Sequence, residues 1–255
     1  MQSALIVLAF GLAMLLVEQL MPGRPLERVA GWYRRATLLN VVQALVAYLS
    51  TATWDRWFPG LAVWHVGGFG LLPDALIGYV VITFIYYWWH RARHEIPFLW
   101  RWLHQIHHSA SRLEVVTSFY KHPIEILING LLSPAILYLL LGLNAESAGL
   151  AFLLTGIAEL FYHWNVRTPH WLGYLIQRPE SHCVHHQRGR HRNNYSDLPL
   201  WDFLFGTFEN PRAQPGACGF GPDAEQRLGA MFVGRSAFAG RKSRRVRHST
   251  RGITS

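Results

Sequence analysis

The chain has 255 residues, of which 51% are hydrophobic and only 15% charged, against roughly a quarter charged in an average soluble domain. Eleven Trp, ten Tyr and fourteen Phe, with a formal charge of +9, point away from an ordinary soluble domain and towards a membrane protein with aromatic belts. Two cysteines, Cys183 and Cys218, lie outside any Cys-x-x-Cys pair, which excludes a disulfide scaffold or a cysteine-based zinc finger.

The first apolar run, ALIVLAFGLAMLLVEQL (4–20), has no Lys or Arg before it and no small-x-small cleavage site after it, and reads as a retained helix rather than a signal peptide. A basic connector, RPLERVAGWYRR (24–35), leads to a second, milder apolar segment over 37–54. Residues 54–70, rich in Gly and Trp, read as an interfacial loop. LLPDALIGYVVITFIYYWW (71–89) is a third span, whose helical pattern continues into HRARHEIPF. The segment 99–114 has helical period but is too polar to cross a bilayer. Two more spans cover 124–142, interrupted at Pro134, and 147–164. Nothing later approaches the ~20 apolar residues that a bilayer requires. Residues 165–210 read as a folded polar cap and 211–255 as a basic, disordered tail. The expected organisation is therefore N-terminal spans and loops over 1–70, a catalytic unit over 71–210 and the tail. The expected fold class is an all-α integral-membrane bundle of four to five spans, the first two being either crossings or a re-entrant hairpin.

Charge orients these spans. With the N-terminus outside, the connector 24–35, the segment 91–123 and the region after 164 hold four, five and fourteen Lys and Arg, while the outer loops hold Arg56 alone. The positive-inside rule assigns the basic side to the cytoplasm. The bacterial inner membrane is preferred over the endoplasmic reticulum.

Thirteen of the fourteen histidines fall on that side or at its membrane edge; His65 is the exception. The motif H-x-x-H-H appears twice, as His104, His107 and His108 and as His182, His185 and His186. Between the copies lies a hairpin of two spans, out and back, which returns both to one face. Residues four apart on a helix share a face, so His90 and His94 project together, as do His104 with His108 and His182 with His186. His163, at the inner end of the fifth span, can join them. One His-x-x-x-His pair is usually a surface or packing feature, but three convergent clusters are not. Without metal, eight packed imidazoles would repel on protonation and would require many buried partners. Eight or nine ligands suit two ions, and nitrogen-rich sites suit iron, copper or zinc.

These residues resemble the fatty acid hydroxylase / sterol desaturase superfamily of integral-membrane di-iron oxygenases. The pieces that carry the resemblance are HRARH (90–94), LHQIHHSA (103–110), KHPIE (121–125), HWNV (163–166), SHCVHHQR (181–188) and NYSDLPLWDFLFGTFENP (194–211), spanning about 75–211. The resemblance implies two iron ions (Fe2+/Fe3+) held by His90, His94, His104, His107, His108, His182, His185 and His186, with His163 as a ninth ligand. His122 either binds metal or orders the cap. Asn194 and Asp197 are expected to shape a turn beside the third cluster, and Asp202 to hydrogen-bond a ligand imidazole. Glu159, one turn before His163, is a catalytic candidate because a carboxylate at the membrane edge is costly unless paired; its plainer role is partner to an arginine. Arg167 stands where fatty-acid hydroxylases carry a further histidine, which departs from simple fatty-acyl hydroxylation. His170, His191 and His248 read as surface residues and Cys183 as a small packing residue.

The implied activity is hydroxylation or desaturation of a lipid C–H bond with O2. No H-P-G-G haem motif is fused, so electrons are expected from a separate ferredoxin or cytochrome with its reductase. Nucleic acid is not an expected partner. The rival reading is a transition-metal transporter or metal-storage protein, which should carry ligands near the bilayer midplane on broken helices. A zinc hydrolase lacks its His-Glu-x-x-His helix.

Overall fold

A computed structural model describes residues 2–57, 61–213 and 215–239, and every ordered element among them is helical. Helices α1 (Gln2–Leu20), α2 (Trp32–Trp57) and α3 (Leu71–Glu95) are followed by two short helices, α4 (Pro97–Leu99) and α5 (Gln105–Ser109), joined by a wide turn over Trp100–His104. Then come α6 (Pro123–Pro134), α7 (Ala145–His163), α8 (Pro179–His185), α9 (Pro199–Leu204), α10 (Pro222–Glu225) and α11 (Leu228–Phe232).

Three helices among the described residues are long and apolar enough to cross a membrane: Leu71–Glu95, Pro123–Leu140 and Ala145–His163. The first two of the five expected spans do not meet that measure. Among the described residues α1 contributes an apolar stretch over Leu5–Leu20, and α2 carries Arg34 and Arg35 in its first turn. Pro134 does not end its helix as an interruption would. The helix widens into a π turn over Ala135–Leu140, the local loosening that a proline without its N–H commonly causes. The carbonyls freed at that end accept N–H bonds from the preceding loop, Val63 to Leu139, Trp64 to Leu140 and Val66 to Leu141.

The tightest seam is α3 against α7. A Cβ on Gly78 would lie 2.8 and 2.9 Å from the side-chain tips of Leu143 and Leu137 and 3.3 Å from the Ala151 Cβ of α7, so a larger residue would require this packing to shift. Ile82, Leu137, Tyr138, Leu141, Leu143, Ala148 and Ala151 fill the interface. Helix α1 packs along α7 and α2 along α6. Its Glu18 is buried and accepts the N–H groups of Val115 and Asn165, which ties the N-terminal helix to the functional end of the bundle.

The cap extends beyond 210. Residues 215–239, expected as part of a disordered tail, fold over α5. Phe220, Ala224, Met231 and Ala237 are buried with Trp32, Ala36, Ile106, Ala110 and Tyr120. Backbone bonds from Phe220 to Ser109, Gly219 to His186 and Arg188 to Ala217 stitch the segment down. The apolar residues spaced through this Gly-rich stretch cover the face of α5 that the bundle leaves open. Residues 240–255, with His248 and the basic run expected there, lie outside the described residues.

Candidate metal centre

Helices α3 and α7 both end at the same end of the bundle, where α5 and α8 cross over them. Nine imidazoles meet there in two groups. His90, His94, His104, His108 and His185 form one, and His107, His163, His182 and His186 the other; within each group the ligand nitrogens lie within 4.8 Å of one another. The repeated motif divides between them. The first copy gives His104 and His108 to the five-histidine group and His107 to the four-histidine group. The second copy gives His185 to the former and His182 and His186 to the latter. The i, i+4 pairs share a group and the middle histidine crosses to the other, as helical azimuth requires. No carboxylate enters either group.

Six of the nine rings are held from behind, while the Nδ1 atoms of His107 and His186 are buried without a partner. The Nδ1 atoms of His90, His94, His163 and His185 face the backbone carbonyls of Tyr195, His191, Glu159 and Asn193 at 2.8, 2.8, 2.8 and 2.6 Å. His104 Nδ1 donates to Glu125 Oε1 at 3.0 Å, and His182 Nδ1 to the Gln177 amide oxygen at 2.6 Å. A carbonyl or carboxylate only accepts, so these six Nδ1 atoms carry the protons and their Nε2 lone pairs point inward. Inside, Nε2 meets Nε2: His90 and His104 at 3.0 Å, His163 and His182 at 3.1 Å, His182 and His186 at 3.1 Å, His107 and His163 at 3.4 Å. The Nε2 atoms of His94, His108 and His185 are buried without a partner. Facing lone pairs repel, and a cation between them removes the repulsion. The donor set fits a nitrogen-liganded transition metal in each group.

Burial keeps the rings neutral. It pushes His104, His107, His108, His182 and His186 well below the ordinary histidine value, with neighbouring imidazoles and, for His104, the Arg93 charge adding to it. His185 falls to about 3. The unfolded chain takes up protons on these rings below about pH 6.5 while the folded chain does not, so folding stability falls as pH drops through that range. The thermal midpoint of metal-free protein is expected to decrease steadily from pH 7 to 5. A flat profile would mean that the rings protonate freely in water.

His122 is not brought to either group. Its Nδ1 accepts from Ile124 N–H at 3.1 Å, capping α6, and its Nε2 faces the Phe232 carbonyl at 3.3 Å; it orders the cap. The Glu159 carboxylate pairs with Lys121 rather than with an arginine, and its backbone carbonyl holds His163. Asp202 touches no imidazole. It accepts from Tyr195 N, Ser196 N and Thr207 Oγ1, and so fixes the turn whose Tyr195 carbonyl holds His90. Asn194 shapes the neighbouring turn through Ser181 and Glu209, and Asp197 accepts from Gln177 N. Burial and the nearby Glu159 charge raise Asp197 to about 7. Cys183 is buried with Leu113 and Cys218 outside both groups. Arg167 binds the Gly23 carbonyl at 3.0 Å, and His170 faces the Asn210 carbonyl.

Two contributors escaped the sequence reading. Glu125, fully buried, anchors His104 and pairs with Arg93; its place in the KHPIE run was visible, its role was not. His191, expected at the surface, offers its carbonyl to His94 and its ring Nδ1 to His108 at 3.2 Å. Burial lowers it to about 4, with Arg188 adding to the shift. It adopts a left-handed backbone with φ of 44°, as do Asn193 and Asn194. Two asparagines in succession were the available signal for that conformation.

Residues 75–207 match the family described as Fatty acid hydroxylase. The chain belongs to the fatty acid hydroxylase family. Its relatives in that wider superfamily include an ornithine lipid hydroxylase OlsE of Rhizobium tropici, 36% identical over 54% of this chain and 42% of the relative. The very-long-chain aldehyde decarbonylase GL1-5 of Oryza sativa subsp. indica is 32% identical over 58% of this chain and 25% of the relative. The alkylglycerol monooxygenase of Homo sapiens is 31% identical over 50% and 29% respectively. The chain thus covers less than half the length of each of these relatives. No solved structure matches significantly. Membership in this fatty acid hydroxylase family, together with the three apolar helices, makes the chain a multi-pass membrane protein.

Proposed function

We propose that the chain is a di-iron oxygenase that hydroxylates, or dehydrogenates, a C–H bond of a membrane lipid, taking electrons from a separate carrier protein. The supporting observation is the pair of all-imidazole groups, their lone pairs facing inward, at the shared end of two apolar helices. The ligands proposed are the nine histidines of the two groups, without His122. Hydroxylation balances as R–H + O2 + two electrons + two protons giving R–OH and water. Two bound irons would supply the redox chemistry for that exchange.

This chain's own residues do the rest. Carbonyls of Tyr195, His191, Glu159 and Asn193, with Glu125 and Gln177, fix the tautomer and aim of six of the nine rings. Tyr195 packs against His94 at 5.3 Å and Tyr162 against His182 at 4.4 Å, which shields the groups from water. The proposed role of Glu159 is to position His163 and Lys121 rather than to touch substrate. The site is assigned to the cytoplasmic face of a bacterial inner membrane on the charge distribution of the loops.

The transporter reading draws no support from the family or its relatives, and the two groups lie at helix ends rather than at a midplane break. Untargeted lipid mass spectrometry, in cells with and without the gene, tests the proposal. Lipids heavier by 16 or lighter by 2 mass units, dependent on O2 and iron, are expected. Iron-loaded protein that leaves every lipid unchanged would refute the oxygenase reading.

A further inference from the structure

The five-histidine group is connected to the surface by a run of aromatic rings. Phe238 is 45% exposed. Its ring lies 5.0 Å from Phe220, which lies 5.2 Å from His191 and 6.2 Å from Trp100. His191 is 5.2 Å from His108, and Trp100 is 5.3 Å from His108 and 5.2 Å from His94. Three ring-to-ring steps therefore lead from solvent to the histidines.

The loop 187–193 forms the other half of this wall. Two of its carbonyls, at His191 and Asn193, hold His94 and His185 from behind. The left-handed backbone at both residues aims those carbonyls inward and leaves Arg192 exposed between them. Arg192 makes no ion pair among the described residues, whereas Arg188 and Arg190 pair with Glu27 and Glu209. Arg101, exposed beside Trp100, bonds the Pro97 carbonyl and keeps its charge uncompensated. The exposed Glu95 nearby is occupied by Arg91. The wall is thus apolar at its centre, basic at its rim and in ring contact with the metal groups.

We propose that this face docks an acidic one-electron carrier protein, and that Phe238, Phe220, Trp100 and His191 form the route from that carrier to the five-histidine group. The proposal rests on the oxygenase reading above, whose stoichiometry requires two such transfers per turnover. Each docked carrier is oxidised by one electron and the centre is reduced by one. Contacts of this kind are small, below about 1,200 Å², and opposite charge mainly raises the rate of encounter. Free arginines on the rim therefore matter more than area.

The test uses the full chain in detergent, iron-loaded, with a plant-type [2Fe–2S] ferredoxin as probe. Arg101→Glu/Arg192→Glu is expected to weaken ferredoxin binding more than tenfold at low salt and to abolish its salt dependence. Anaerobic reduction by ferredoxin should slow to match, while reduction by dithionite stays unchanged. Phe238→Ala should slow ferredoxin reduction even at saturating ferredoxin, beyond what any loss of binding accounts for. Unaltered ferredoxin binding in the double variant would overturn the docking face. So would loss of binding to phosphatidylglycerol vesicles with ferredoxin unaffected, which would assign the face to lipid. A wild-type centre that dithionite cannot reduce would sink the oxygenase reading itself, and the docking face with it.

Discussion

His107→Ala is expected to cut bound metal from about two ions per chain to about one, and to lower product formation by more than about a hundredfold. Changes to residues behind metal ligands already cost roughly 10–100-fold, and His107 belongs to a group of only four imidazoles. With three left, His163, His182 and His186 hold their lone pairs towards an incomplete site. The same change in the other group has a different result. His90→Ala leaves four imidazoles in the five-histidine group, as many as the intact partner group has, so its metal content should stay near two while activity falls. His122→Ala should leave the ion count untouched and cost only a helix cap, about 1 kcal/mol. Elemental analysis of the three purified variants checks all of this at once. A His107→Ala protein that retains two ions, or a His122→Ala protein that loses one, would break the division into groups of five and four.

That division shows how far the sequence could be read. The clusters, their helical spacing and their return to one end by an out-and-back hairpin were legible, because azimuth on a helix and the length of an apolar run are local properties. Which histidine joins which group was not. That depends on how α5 and α8 cross, a fact of tertiary packing. The anchors behind the rings were legible only in part. Four of them are backbone carbonyls, at Tyr195, His191, Glu159 and Asn193, and a carbonyl leaves no mark in a sequence. Asp202 is expected as an anchor by family resemblance; it acts one step further back, on the turn that presents the Tyr195 carbonyl. Residues 215–239 looked like tail because they are rich in Gly, show no long apolar period and run into the basic stretch that follows them. Only the open face of α5 explains why Phe220 and Met231 are buried. In the N-terminal helix an apolar run was visible, and the burial of Glu18 against the loop ends was not.

Glu125→Ala should be the most destabilising single change at the centre. Glu125 is fully buried, and its Oε1 is shared by the Arg93 guanidinium and His104 Nδ1. Arg93 is itself only 4% exposed. Removing the carboxylate leaves a buried guanidinium without its counter-charge, at a cost of about 3–5 kcal/mol, or a fall in thermal midpoint of roughly 6–20 °C for a chain of this size. It also leaves the His104 Nδ1 proton without an acceptor, so the ring loses its fixed tautomer and metal affinity should drop about 10–100-fold. The two effects separate in the double variant Arg93→Met/Glu125→Leu. Both charges are gone, so stability should return close to that of the parent, because apolar replacement of a whole buried pair is often neutral. Metal affinity should not return, since His104 still lacks its acceptor. Glu125→Gln keeps an acceptor oxygen without the charge and should show the converse: metal largely retained, stability still reduced. Thermal unfolding and metal competition, run on all three variants, assign the carboxylate its two roles. A double variant as unstable as Glu125→Ala would remove the charge argument, and one that binds metal normally would remove the orienting role.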